Sequence, residues 1–314
     1  MRLVFLGSPP FATPALARLA RSRFRPLAIV TQPARAKGRG KKVAGSELSE
    51  LARREEIELL EPESVREPAV LERLRALEPD VFLVVSYGEI LRPELLALPR
   101  VVALNVHPSL LPRHRGATPV PAAILAGDEV TGVAIQKMTK ELDAGDLLLV
   151  RETPIHPHET AGELLARLGE WSGELVLEAL ELVDSGRARY EPQDHARATY
   201  CKKLTKEHGR IDWSQPAVAL ERRVRAMHPW PGAATRLPNG AELFIWRAQV
   251  ADGPSAAPGT VLAASQRLLV AAGERALELL EVQLAGKRAL LAAEFLRGAR
   301  LAAGARLGER LGET

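Results

Sequence analysis

Two apolar runs, Asp80–Val85 (DVFLVV) and Val101–Val106 (VVALNV), constrain this chain more than any other feature. A strand with one face in water alternates apolar and polar residues, so a strand apolar at nearly every position must be covered on both faces. Further strand candidates are Arg2–Leu6, Pro26–Thr31 and Val130–Met138. Helix-like segments lie between and after them: Ala15–Ala20, Ser46–Glu55, Thr118–Leu125 and Thr160–Leu182. The second has Ser46 as a cap, with Glu47 and Glu50 in the early turns where the helix dipole favours anions. Alternating strands and helices predict an α/β architecture, an open sheet with helices on both faces.

That alternation stops near residue 187. Residues 187–206 are polar and basic without periodicity and read as a linker. Beyond them, turn signals (Pro229, Pro231-Gly232, Pro238-Asn239-Gly240, Pro258-Gly259) separate the strand candidates Leu243–Trp246, Thr260–Ala263, Leu268–Ala271 and Leu277–Val282. Pro-Asn-Gly between apolar runs is a hairpin signal. The expected domains are 1–186, an α/β domain, and 207–314, a small OB-like β-barrel. The Gly/Ala-rich tail from Arg300 is expected to be less ordered.

Composition narrows the class. With 46% hydrophobic and 26% charged residues in 314, the chain has apolar surface enough to fold, and its length suits about two domains. No apolar run reaches the roughly 18–20 residues that span a bilayer, and the N-terminus has no signal-peptide pattern, so a cytoplasmic protein without membrane contact is expected. A single cysteine, Cys201, excludes an internal disulfide and a Cys-based zinc site, and no metal is expected. No G-x-G-x-x-G, Walker loop, nucleophile elbow or H-E-x-x-H is present. Asparagine is scarce, with only Asn105 and Asn239, and six of the nine lysines fall in 37–42 and 202–206.

Three features could carry chemistry. Asn105 and His107 stand at the end of a buried strand, two residues apart and hence on one face, where α/β sheets bind ligands. An amide donor beside an imidazole suits polarisation of a carbonyl in acyl transfer. Asn239 has a turn role in Pro-Asn-Gly, whereas Asn105 has none. Next, Glu141-Leu142-Asp143-Ala144-Gly145-Asp146 reads as a loop or as the source of a carboxylate for His107, and spacing does not choose between Asp143 and Asp146. Last, Arg35, Lys37, Arg39, Lys41 and Lys42 crowd a glycine-containing stretch without an acid, and Lys202, Lys203 and Lys206 form a second cluster. Both are solvated surface or phosphate contacts. Trp213, Trp230 and Trp246 could stack on bases, but core packing is the simpler role for each.

Together these residues resemble the 10-formyltetrahydrofolate-dependent formyltransferases: Asn105/His107, Ser109-Leu110-Leu111-Pro112, Arg113-His114-Arg115-Gly116 and Leu142-Asp143-Ala144-Gly145-Asp146. The narrower likeness, over essentially the whole chain, is to bacterial and organellar methionyl-tRNA formyltransferases. It rests on Thr31-Gln32-Pro33 leading into Gly38-Arg39-Gly40-Lys41-Lys42, on Arg210-Ile211-Asp212-Trp213, on Pro229-Trp230-Pro231 and on Ala257-Pro258-Gly259-Thr260. The chain departs from the family pattern at Pro10, where an acidic residue is usual. The resemblance implies a Rossmann-like catalytic domain and an OB-like tRNA-binding domain. It implies Asn105, His107 and Asp143 as catalytic residues, Ser109, Leu110, Leu111 and Pro112 as folate contacts, and 10-formyltetrahydrofolate as co-substrate. It further implies initiator methionyl-tRNA as partner, with Arg39 reaching its acceptor end. The basic residues Lys41, Lys42, Lys202, Lys203 and Lys206 would then serve the tRNA phosphates. Such a design needs no partner subunit, so a monomer is expected. A formyltransferase for an aminosugar nucleotide or glycinamide ribonucleotide would use the same three catalytic residues, but would leave both basic clusters without a task. An RNA-binding protein without catalysis would leave Asn105, His107 and Asp143 without one.

Overall fold

A computed structural model describes residues 1–33, 45–299 and 301–308. Arg39, Lys41 and Lys42 lie outside the described residues. The chain divides into two compact units. One comprises Met1–Pro119, Val130–Pro154 and Leu164–Lys202; the other comprises Val120–Glu129, Ile155–Glu163 and Lys203–Thr314.

The strands begin with β1 (Leu3–Gly7), β2 (Ala28–Val30), β3 (Glu58–Leu60), β4 (Val81–Val85) and β5 (Val102–His107). They continue with β6 (Arg115–Gly116), β7 (Val130–Lys137), β8 (Leu147–Pro154) and β9 (Tyr200–Cys201). The helices up to β9 are α1 (Ala12–Ala20), α2 (Glu47–Arg54), α3 (Pro68–Ala76), α4 (Pro93–Leu96), α5 (Pro119–Ala126) and α6 (Ala161–Asp184). The first unit is built on a seven-stranded sheet in the order β3-β2-β1-β4-β5-β7-β8. Its first five strands are parallel, and β7 and β8 join antiparallel. This is the expected Rossmann-like, mostly parallel sheet.

Both β1 and β4 are buried at every position, as their apolar runs require. Val4, Leu6, Phe82 and Val84 pack with Val70 and Leu74 of α3 in one core cluster. Truncating the fully buried Phe82 to Ala would cost about 3–5 kcal/mol. The cap on α2 forms as expected, with the Ser49 amide donating to Ser46 Oγ at 3.1 Å. β3, α3 and β8 lack the signals that marked the other elements: β3 is three half-buried residues, and β8 is polar along much of its length.

The second unit holds α7 (Ala217–Ala226), β10 (Ala233–Arg236), β11 (Glu242–Ala251), β12 (Val261–Ala264), β13 (Leu268–Ala271), β14 (Ala276–Leu284), β15 (Leu290–Leu291) and α8 (Ala292–Gly298). Its sheet runs β10-β11-β14-β13-β12, antiparallel throughout, with β15 on β14. The Pro238-Asn239-Gly240 turn joins β10 to β11 as the hairpin signal predicts, with Gly240 at φ 81°. Register shifts at Ile245–Ala248 and Val261–Ala263 mark bulges of the kind that bend a sheet. Of the tail, residues 301–308 are described. Leu307 is buried, the Val261 amide donates to the Ala305 carbonyl, and Gly308 donates to the Arg236 carbonyl. Trp213 is core, its Nε1 donating to Thr235 Oγ1 at 3.0 Å, while Trp246 is half-buried and Trp230 exposed. Among the described residues no helix is long and apolar enough to cross a membrane.

Candidate active site

The site is built where β5 ends. Strand parity puts Asn105 and His107 on one face, and the register of β5 with β7 sets Gln136 opposite Asn105. The loop between β7 and β8 then turns back, closed by the Lys137 amide donating to the Asp146 carbonyl at 2.9 Å. Within it Asp143 adopts φ 49°, and a Cβ at Gly145 would lie 1.7 Å from the Lys137 carbonyl oxygen, so only glycine fits there. This turn delivers the Asp143 carboxylate to the strand end. Asp146 contributes its backbone to the loop closure.

Asp143 is 10% exposed and held mainly by neutral donors. Its Oδ1 accepts from Asn105 Nδ2 at 3.2 Å and from Gln136 Nε2 at 3.0 Å. Its Oδ2 accepts from the Gly116 amide at 2.8 Å and lies 3.7 Å from His107 Nδ1. The other ring nitrogen, His107 Nε2, lies 2.9 Å from the His114 carbonyl. A carbonyl only accepts, so Nε2 carries a proton. Both imidazole nitrogens therefore face acceptors. The Nδ1 contact exceeds hydrogen-bond length. Asn105, half-buried, keeps its second amide proton.

The structure thus brings together all three expected catalytic residues. Of the expected folate segment, Ser109 is buried with its hydroxyl donating to the Arg113 carbonyl at 2.7 Å, and Leu111 is buried. Leu110 and Pro112 are partly exposed. Lys202, Lys203 and Lys206 are exposed. The first is tied close to the site: Thr118 Oγ1 donates to its carbonyl at 2.7 Å, two residues beyond Gly116.

Four site residues escaped the sequence reading. Gln136 is a buried polar residue of β7, placed at the site by its register with β5. Gly116 acts through its backbone. Arg115 belongs to a quoted motif but had no role. Gln193, in the segment expected as linker, donates to the Asp143 and Gly145 carbonyls at 3.0 and 2.6 Å. Cys201 borders the site, and burial pushes its thiol up from the ordinary range.

Residues 1–180 match the formyl transferase family and residues 203–300 the formyl transferase C-terminal domain. The chain therefore belongs to the formyl transferases. A methionyl-tRNA formyltransferase of Roseiflexus castenholzii is 46% identical over 311 residues, 98% of this chain and 99% of its own. At that likeness the family is that of the methionyl-tRNA formyltransferases. Among solved structures, the sugar 3N-formyl transferase WlaRD, crystallised with dTDP and 5-N-formyl-THF, shares the fold at TM-score 0.67 and 13% identity, covering 92% of this chain and 99% of that one. HypX of Aquifex aeolicus in complex with tetrahydrofolic acid does so at TM-score 0.62 and 22% identity, covering 94% of this chain. This chain spans about half of HypX, 47%.

Proposed function

We propose that this chain transfers the formyl group of 10-formyltetrahydrofolate to the amino group of methionyl-initiator tRNA, in the cytoplasm and as a monomer. The observation that carries the reading is the convergence of Asn105, His107 and Asp143 at the carboxyl end of β5. The folate supplies an activated formyl group, and the neutral amine of the aminoacyl ester supplies the nucleophile. Negative charge gathers on the formyl oxygen during attack. The spare Asn105 N–H and His107, as imidazolium, donate to that oxygen. Asp143 supports the imidazolium and helps move the proton from the amine toward the leaving nitrogen. Ser109, with its turn hydrogen bond, and Leu111 shape the folate segment, and Leu110 and Pro112 offer it apolar surface.

Residues 1–186 serve catalysis and 207–314 the tRNA, with the basic residues at 187–206 between them. Arg39, Lys41 and Lys42 meet the acceptor end, and Lys202, Lys203 and Lys206 add a salt-dependent share through phosphates. Arg39→Ala should weaken use of methionyl-tRNA far more than folate binding. The deciding assay gives purified protein 10-formyltetrahydrofolate with charged initiator tRNA, an aminosugar nucleotide or glycinamide ribonucleotide. Formylated product with the tRNA alone is expected. Product with a small amine and none with the tRNA overturns the reading.

A further inference from the structure

Arg115 is a buried cation without an acid. It is 2% exposed, and among the described residues no carboxylate pairs with it. Burying a charge is costly unless its hydrogen bonds are made. Here neutral groups make them. Gln193 Oε1 accepts from Arg115 Nε at 3.2 Å and Nη2 at 2.7 Å, His195 Nδ1 lies 3.0 Å from Nη2, and Tyr200 Oη accepts from Nη1 at 3.3 Å.

This arrangement fixes the direction of two amides. A guanidinium only donates, so the Gln193 oxygen must face it and the Gln193 NH2 must point away. That NH2 meets three acceptors: the carbonyls of Asp143 (3.0 Å) and Gly145 (2.6 Å), and Gln136 Oε1 (3.2 Å). With its oxygen engaged, Gln136 turns its own NH2 to Asp143 Oδ1 at 3.0 Å. An unbroken line of donors therefore runs from Arg115 to the carboxylate beside His107. The same Gln193 NH2 holds the turn that keeps Asp143 at φ 49°, a conformation disfavoured for a residue with a Cβ by about 1–2 kcal/mol.

We propose that Arg115 and Gln193 are positioning residues for formyl transfer. They orient the Gln136 amide and fix the Asp143–Gly145 turn, so that the carboxylate is held beside His107 by amides and a backbone N–H rather than by an arginine or lysine. This rests on the reading that Asp143 serves His107 in that reaction.

The test is steady-state kinetics with 10-formyltetrahydrofolate and methionyl-tRNA. Gln193→Glu keeps acceptors for Arg115 but sets a carboxylate against three acceptors. Gln193→Leu removes both ends of the contact. Each should lower kcat by about 100-fold, the scale of a misplaced catalytic group, with KM for both substrates within about threefold. Arg115→Met should match Gln193→Leu, and the double variant should be no worse than either single one, because one chain is cut once. A kcat within about threefold of wild type, losses confined to KM, or additive losses would overturn the proposal. Should Gln193→Leu fail to fold, Gln136→Leu cuts the last link and must show the same kcat-only loss. Wild-type protein that forms no formylmethionyl-tRNA would instead defeat the functional reading itself.

Discussion

Asp143 in the first unit and Glu278 in the second are equally buried, each with a side chain 10% exposed, yet they are satisfied in opposite ways. Glu278 on β14 receives both arms of Arg267, each at 2.7 Å, and Gln249 Nε2 at 2.8 Å. The Arg267 guanidinium holds its carboxyl below the usual carboxylate range. Its charge is cancelled and its oxygens are occupied. Asp143 has two amides, a backbone N–H and an imidazole just beyond hydrogen-bond distance. One carboxylate is paired with a guanidinium; the other is held by dipoles beside a single imidazole.

The contrast can be broken in order of effect. His107→Ala and Asp143→Ala should each lower turnover by about 10²–10⁴-fold while folate binding persists, as read by single-turnover rates and folate titration. Near-normal rates would remove the distinction altogether. Asn105→Ala should cost about 10²–10³-fold, the usual price of one oxyanion donor. Arg267→Ala should leave kcat unchanged but modestly destabilise the protein, because Arg267 is exposed, seen as a slightly lower melting temperature.

That loss should depend on pH. The folded pKa of Glu278 is lowered, so its contribution is complete above the unfolded carboxylate value of about 4.3 and disappears as pH falls through the folded one. Wild type and Arg267→Ala should therefore converge in acid. The smallest effect concerns Cys201. With its thiol pushed up by burial, alkylation by iodoacetamide at pH 7 should be slow, and Cys201→Ser should change kcat little.

Much of the fold was legible because apolar runs and turn residues act locally. DVFLVV became β4, and Pro-Asn-Gly became the β10–β11 hairpin. Asn105 and His107 were legible through strand parity. Asp143 could be separated from Asp146 only by family likeness, because the choice is made by a left-handed backbone turn and by partners distant in sequence. Gln136 depends on the register between β5 and β7, which side-chain pattern does not reveal. Gln193 is a single polar residue in an aperiodic stretch. Nothing local distinguishes it from a linker residue, and its role arises only where Arg115 meets it.

The β6–β9 bridge has a consequence for time as well as space. It joins Arg115 to Tyr200 across a separation of 85 residues, and Gly116 must pass so close to Cys201 that a Cβ would lie 2.2 Å from the Cys201 carbonyl oxygen. Closing so long a loop is entropically unfavourable. A chain emerging from the ribosome N-terminus first presents Asn105, His107 and Asp143 before the segment that frames them has been synthesised.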